Sequence, residues 1–199
     1  LLLNSLMQTS AEALKDWMNY KFGLQPGIIS VLHTFGEQKE NHFHTHMILS
    51  WGGVDKNRTL QQIKGKYVNY DYLKSKFRSI FEKKLIDFYG SGKLDHDFRD
   101  VIEFKLFLKR VNEKNWIIHL EDPMETPADV IRYIGRYSKR ACLSEYKITR
   151  IDGELIAFRY KDYKRKDYFG HPIEKERVLN YRDFFPLLLQ HVPLPSFRL

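Results

Sequence analysis

Cysteine is almost missing from this chain: Cys142 is the one thiol in 199 residues. A lone cysteine cannot form an internal disulfide, which excludes a disulfide-stapled secreted fold and fits a reducing compartment. Long hydrophobic runs are missing too. No stretch approaches the ~18 apolar residues that span a bilayer. The opening LLLNSLM lacks the basic start and small-residue cleavage site of a secretory signal. There is no Pro/Gly-rich linker and no internal repeat, so one domain, or one domain with an extension, is expected. The first residue is Leu1 rather than Met, and the sequence is expected to be a piece of a longer protein. A hydrophobic fraction of 43% with 15% aromatics is enough for a sizeable core and excludes a disordered chain.

What is present is positive charge, unevenly placed. Of the net +8, residues 131–182 supply +7, from 14 Lys/Arg against 7 Asp/Glu, and they hold seven of the 12 tyrosines. Basic groups neutralise phosphates and aromatic rings stack on unpaired bases, so this quarter of the chain points to nucleic acid. A solvated Lys-rich surface is the plainer reading.

Periodicity gives a coarse map. Residues 8–22 read as a helix with Ser10 as N-cap and Leu14, Trp17, Met18 and Phe22 on one face. Residues 28–35 and 42–51 read as strands around a polar loop. Helices are expected over 71–89 and 96–112, and a strand over 115–121. Residues 126–140 form a well-signalled helix: Thr126 caps, Pro127 suits the first position, and Asp129 completes a capping box. A hairpin over 146–163 turns at Asp152-Gly153, and a last helix over 175–192 is interrupted by Pro186. The fold class is α+β, antiparallel strands with helices packed on one face.

The stretch NHFHTHMIL places His42, His44 and His46 on one face of a strand, because alternate residues share a face. Phe43, Thr45, Met47, Leu49 and Trp51 occupy the other, expected buried. Neutral imidazoles at i, i+2 can hold a divalent ion; surface or hydrogen-bonded histidines are the alternative. If strands 28–36 and 42–51 form a hairpin around Lys39, His33 can join His44 and His46, with Glu37 and Gln38 as competitors for the third ligand. Cupins place a Glu a few residues after His-x-His; Ser50 and Trp51 stand here. Amidohydrolase barrels need a longer chain. Histidine-triad nucleotide hydrolases come close in HFHTHMI, but their motif usually sits near the end of a small domain, and about 150 residues follow it here.

On the capped helix, Tyr133 and Tyr137 lie four residues apart, between an apolar stripe (Val130, Ile131, Ile134) and a basic face (Arg132, Arg136, Lys139, Arg140). Gly135 costs a helix about 1 kcal/mol relative to Ala; close approach of another backbone, or of nucleic acid, is one reason to keep it. A phenol with a pKa near ~10 is a poor nucleophile unless a metal polarises the phosphate that it attacks. Metal-holding histidines and paired tyrosines together suggest covalent attack on DNA; amphipathic packing is the plainer role for the tyrosines.

VLHTFG, HFHTHMILSWGG, WIIHLEDP, VIRYIGRYSKR and FRYKDY, in that order, resemble the two-tyrosine rolling-circle transposases of bacterial insertion sequences. These belong to the HUH (His-hydrophobic-His) single-strand nucleases, with replication initiators, relaxases and helitrons. The resemblance runs from about Pro26 to the C-terminus. It implies a ferredoxin-like fold with a five-stranded antiparallel sheet, helices packed on it, and the His pair on a central strand. It implies His44 and His46 as the pair, Tyr133 and Tyr137 as nucleophiles, Mg²⁺ or Mn²⁺ as cofactor, and a 5′-phosphotyrosine intermediate on single-stranded DNA at transposon ends and target. Thr45 replaces the usual large apolar residue between the pair. Relatives with one tyrosine often supply a Gln ligand one turn later; Tyr137 and Ala141 stand at those places, which favours His33. Family members commonly carry an N-terminal cysteine-rich zinc domain, which one cysteine cannot build. Residues 1–25 are therefore expected to be a helical remnant of a linker to it, and 26–199 the catalytic domain. DNA contacts are expected from Arg132, Arg136, Lys139 and Arg140, then Lys161, Lys164, Arg165 and Lys166. The protein is expected in the cytoplasm, at the nucleoid when acting. The competing functions are a non-catalytic single-strand DNA-binding module and a histidine-triad-like nucleotide hydrolase.

Overall fold

A computed structural model describes residues 1–65, 67–138 and 142–191, and only the backbone of 136–138. Its elements are α1 (Leu2–Phe22), β1 (Ile28–Phe35), β2 (Asn41–Leu49), β3 (Gly52–Val54), β4 (Leu60–Gln62), α2 (Tyr70–Gly90), α3 (Val101–Asn112), α4 (Pro127–Ser138), β5 (Ile148–Asp152), β6 (Leu155–Lys166), β7 (Pro172–Asn180) and α5 (Tyr181–Leu189). The chain is α+β. Among the described residues its strands pair as β1-β2, β3-β4 and β5-β6-β7, with antiparallel ladders in the last two sheets. A single five-stranded sheet is not formed by these pairings. No helix among the described residues is long and apolar enough to cross a membrane.

The chain divides into two compact units, residues 1–32 with 45–125, and residues 33–44 with 126–199. In the first, Trp17, Met18 and Leu73 form the core, with Leu14, Phe22, Leu49 and Trp51 packed on it. Trp17 and Trp51 stand 6.0 Å apart between ring centroids. Lys76–Asp16 (3.0 Å) and Lys84–Glu12 (2.8 Å) tie α2 to α1 at the rim of that core. Tyr72 also donates to Asp16. Gly23, left-handed at φ 66°, ends α1 by returning its N–H to Asn19. Trp116 packs on Phe77 at 4.7 Å.

In the second unit, Ile156, Phe158 and Phe184 form the core, flanked by Ile148, Leu179 and Leu188. Phe158 on β6 meets Phe184 on α5 at 5.9 Å. β6 is the middle strand of its sheet, so it is the one buried at its base.

Several local expectations shift. α1 starts at Leu2, and Ser10 is no cap: it lies mid-helix, where its hydroxyl donates to the Leu6 carbonyl one turn back. The leading Leu and Met residues are good helix formers, which is why the helix runs through them. α3 starts at Val101, because Asp100 caps the N–H groups of Ile102 and Glu103. Residues 115–121 pair with no strand, and Ile117 is 91% exposed. Residues 175–180 are strand, not helix: Val178 and Leu179 pair with Ala157 and Ile156, and Asn180 caps α5. The β5–β6 turn falls one residue later than expected, at Gly153-Glu154 between the paired Asp152 and Leu155. Gly153 takes the left-handed φ of 55° that the first position of such a turn requires.

Candidate metal centre and tyrosine helix

His33 projects from β1, and His44 and His46 from β2. One ring nitrogen of each lies within 4.8 Å of the other two. The alternation of a strand puts His44 and His46 on the same face, and the β1–β2 pairing brings His33 to it. His33 is buried, and its ring meets that of His44 edge-on at 5.2 Å. Ligands opposite one another on a small divalent ion stand about 4 Å apart. Only one pair of the three can stand opposite, and neighbouring ligands lie about 3 Å apart, so the rings would close up by about an ångström to share one ion; three neutral imidazoles suit a divalent metal.

His42 stays outside the trio, yet it acts on it. His44 Nδ1 lies 2.9 Å from the His42 carbonyl oxygen. A carbonyl can only accept, so Nδ1 carries the proton and the lone pair of His44 resides on Nε2. Burial pushes the pKa of His44 below the usual imidazole value, which favours the neutral form that binds metal.

Two sets of contacts fix this hairpin. Behind His44 and His46, the Thr45 hydroxyl bonds that of Ser10 at 3.1 Å, so Thr45 faces α1. Phe43 was expected on this covered face but is 50% exposed; the covering begins only at Thr45. At the turn, Lys39 adopts a left-handed φ of 67° and its carbonyl accepts from His191 Nε2 at 3.1 Å. That bond places the His191 lone pair on Nδ1, which accepts from the Thr34 hydroxyl at 3.0 Å. Glu37 binds Lys147 at 3.1 Å, and the Gln38 carbonyl accepts from Arg177 at 2.6 Å. Of the two competitors for third ligand, Glu37 is engaged through its carboxylate by Lys147, and Gln38 is tied at the turn through its backbone carbonyl, while His33 joins the pair. The histidine pattern carried no signal for these contacts, because His191, Lys147 and Arg177 lie more than 100 residues downstream.

The capping box of α4 forms as the sequence predicts. The Asp129 N–H donates to Thr126 Oγ1 at 3.2 Å and the Thr126 N–H donates to the Asp129 carboxylate at 3.2 Å, while Thr126 Oγ1 also donates to that carboxylate at 2.6 Å. The Thr126 hydroxyl thereby holds the Asp129 carboxyl below its usual range. Tyr133 is half-buried with Val130 and Ile134, the i, i+3, i+4 face. Ile131 was expected on that stripe but is 70% exposed, being about 100° around the helix from Val130. Arg132 is exposed and pairs with Asp129 at 3.0 Å. A Cβ on Gly135 would meet nothing within 4 Å among the described residues, so none of them requires the glycine. The side chains of Arg136 and Tyr137, and residues Lys139 and Arg140 as a whole, lie outside the described residues. Lys161, Lys164, Arg165 and Lys166 are all exposed on β6.

Comparison with known proteins supplies the family. Residues 27–199 match the family model Y2_Tnp, described as "Putative transposase". The chain belongs to that transposase family. Over 177 residues it is 28% identical to "Putative transposase y4qJ" of Sinorhizobium fredii, covering 85% of this chain and 43% of that protein. It is 23% identical to "Transposase for insertion sequence element IS801" of Pseudomonas savastanoi pv. phaseolicola, covering 100% of this chain and 47% of that protein. The chain thus spans less than half the length of either relative. No solved structure matches it.

Proposed function

We propose that this family member is the nuclease part of a two-tyrosine, rolling-circle transposase of the HUH type. In this reading it belongs to the ferredoxin-like HUH fold, with residues 26–199 as catalytic domain and 1–25 as a helical extension. The observation that carries the reading is the imidazole trio His33, His44 and His46, gathered on one hairpin of a transposase-family chain. Its substrate is single-stranded DNA at the element's ends and at the target, and it works in the cytoplasm, at the nucleoid.

When bound by the trio, Mg²⁺ or Mn²⁺ supplies Lewis-acid polarisation of a phosphate oxygen. The chain's own residues do the rest. The Oη of one of the two tyrosines, Tyr133 or Tyr137, attacks the phosphorus and its proton passes to solvent. A bond from Oη to phosphorus forms as the bond to the 3′ oxygen breaks, and that oxygen leaves as a 3′-OH after taking a proton. One phosphate ester replaces another, so a later 3′-OH can reverse the step and join strands. The other tyrosine, one turn away on α4, serves a second such linkage. Arg132, Arg136, Lys139 and Arg140 beside the tyrosines, and Lys161, Lys164, Arg165 and Lys166 on β6, neutralise phosphates. The all-imidazole donor set ranks Mn²⁺ above Mg²⁺, which prefers oxygen.

The test is a denaturing gel with labelled single-stranded DNA from the element's ends, with Mn²⁺ or with EDTA. A covalent protein–DNA band is expected with Mn²⁺. It should be lost in EDTA and in His44→Ala, and reduced in Tyr133→Phe, in Tyr137→Phe or in both. DNA retention with no covalent band would leave a binding module instead. Hydrolysis of a mononucleotide that ignores both tyrosine substitutions would leave the histidine-triad chemistry.

A further inference from the structure

The β6–β7 hairpin changes character along its length. Its base is core, with Phe158 at 0% and Ile156 at 6% exposure. Its far end carries two preorganised features. The first is a bulge. Asp162 pairs with Ile173 and Lys166 with Pro172, so Tyr163, Lys164 and Arg165 have no partners across the ladder. Asp162 pins them: its carboxylate accepts the Lys164 N–H at 3.0 Å and the Lys175 ammonium at 2.7 Å.

The second feature is the turn. Asp167 Oδ1 accepts the N–H groups of Phe169 (2.9 Å) and His171 (2.8 Å), and the Asp167 N–H donates to the His171 carbonyl at 2.8 Å. Gly170 supplies the left-handed φ of 83°. The turn holds Tyr168 at 97% and Phe169 at 78% exposure, edge-to-face at 5.4 Å.

Two adjacent rings at a polar turn forgo the burial that rewards aromatic side chains elsewhere. They do so next to Lys164, Arg165 and Lys166, in a frame that hydrogen bonds have already set. Exposed rings beside exposed cations suit one strand of nucleic acid: the cations take successive phosphates and the rings stack on unpaired bases. We propose that this arm is a single-strand DNA-binding site in which Tyr168 and Phe169 stack on bases. The inference rests on DNA being the substrate, as proposed above, but not on the metal or the nucleophiles.

Fluorescence anisotropy of the full chain with a labelled oligothymidylate, and with a duplex of equal length, tests it. Tyr168→Ala/Phe169→Ala should weaken single-strand binding by about tenfold or more. The salt slope and duplex affinity should be unchanged, since stacking releases no counterions. Tyr168→Trp should keep wild-type affinity. Lys164→Gln/Arg165→Gln should weaken both DNAs and flatten the salt slope. Circular dichroism of the double alanine variant should match wild type, because both rings are already in water. Single-strand affinity in that variant within about twofold of wild type would overturn the arm. So would a wild type that does not bind oligothymidylate, and the rings would then suit a protein or membrane contact. A covalent band that persists while the tip variant binds normally sinks the arm alone; tip-dependent binding with no covalent band sinks the nuclease alone.

Discussion

The β1–β2 and β6–β7 hairpins are built alike and used in opposite ways. β1–β2 turns its distinctive side chains toward one another: three imidazoles converge, one of them buried, and the turn is tied down by Lys147, Arg177 and His191. β6–β7 turns its distinctive side chains outward, with Tyr168 and Phe169 in water and the far end braced, among the described residues, by its own Asp162 and Asp167. Convergence with external bracing suits a fixed ion. Projection with internal bracing suits a long, variable ligand. In the proposed reading, the same secondary structure supplies a clamp for a point charge and a rack for a polymer.

The contrast is broken hardest at His44. His44→Ala should abolish the covalent adduct while leaving oligothymidylate binding near wild type, because the arm retains its rings and cations. Measuring both on one preparation separates the hairpins directly; loss of both would mean that they act as one site.

Within β6 itself the base and the tip should differ as sharply. Phe158→Ala is expected to cost about 3–5 kcal/mol in urea unfolding of the second unit. Tyr168→Ala should cost nothing measurable, since its ring is 97% exposed. Equal costs would show that the tip is packed in solution.

A smaller effect should follow from Asp162→Asn. The Lys175 ammonium holds the Asp162 carboxyl below its usual range, so the charge is intact at neutral pH. Asn keeps an acceptor for the Lys164 N–H and loses the ion pair. Single-strand affinity should fall by a few-fold at most, with adduct formation unchanged; a tenfold fall would place Asp162 in contact with DNA.

The smallest effect is a control outside both hairpins. Tyr72 donates to Asp16, which lowers the carboxyl's pKa and raises the phenol's to about 12. The carboxylate's contribution to stability is present above its unfolded pKa and lost as pH falls through the lower folded value. The phenol's is present below its unfolded pKa and lost as pH rises through about 12. Tyr72→Phe should cost about 0.5 kcal/mol at neutral pH, at the low end for a hydrogen bond because Asp16 is partly exposed. Thermal melts across pH check this, and neither DNA readout should move.

Local chemistry was legible in the sequence and distant chemistry was not. The α4 capping box and the shared face of His44 and His46 follow from spacing alone, and the structure shows both. His33 could be placed only by assuming a hairpin. Ser10 looked like a cap because its neighbours fit that motif; its partner Thr45, 35 residues away, gives it another use. Residues 175–180 read as the start of the last helix, yet pairing with β6 makes them strand. The KDY stretch marked a resemblance without revealing its work, since the role of Asp162 depends on a bulge visible only once β7 is in register.

The distribution of tryptophan has a spectroscopic consequence. Trp17 and Trp51 share the first unit's core, Trp116 packs on Phe77 in the same unit, and these are the chain's 3 tryptophans. The second unit has tyrosines only, so indole emission follows the first unit while tyrosine emission is weighted to the second. Unfolding watched at both wavelengths shows whether the units melt together, and Tyr168→Trp sets an indole at the arm's tip, where quenching by added DNA reads stacking optically.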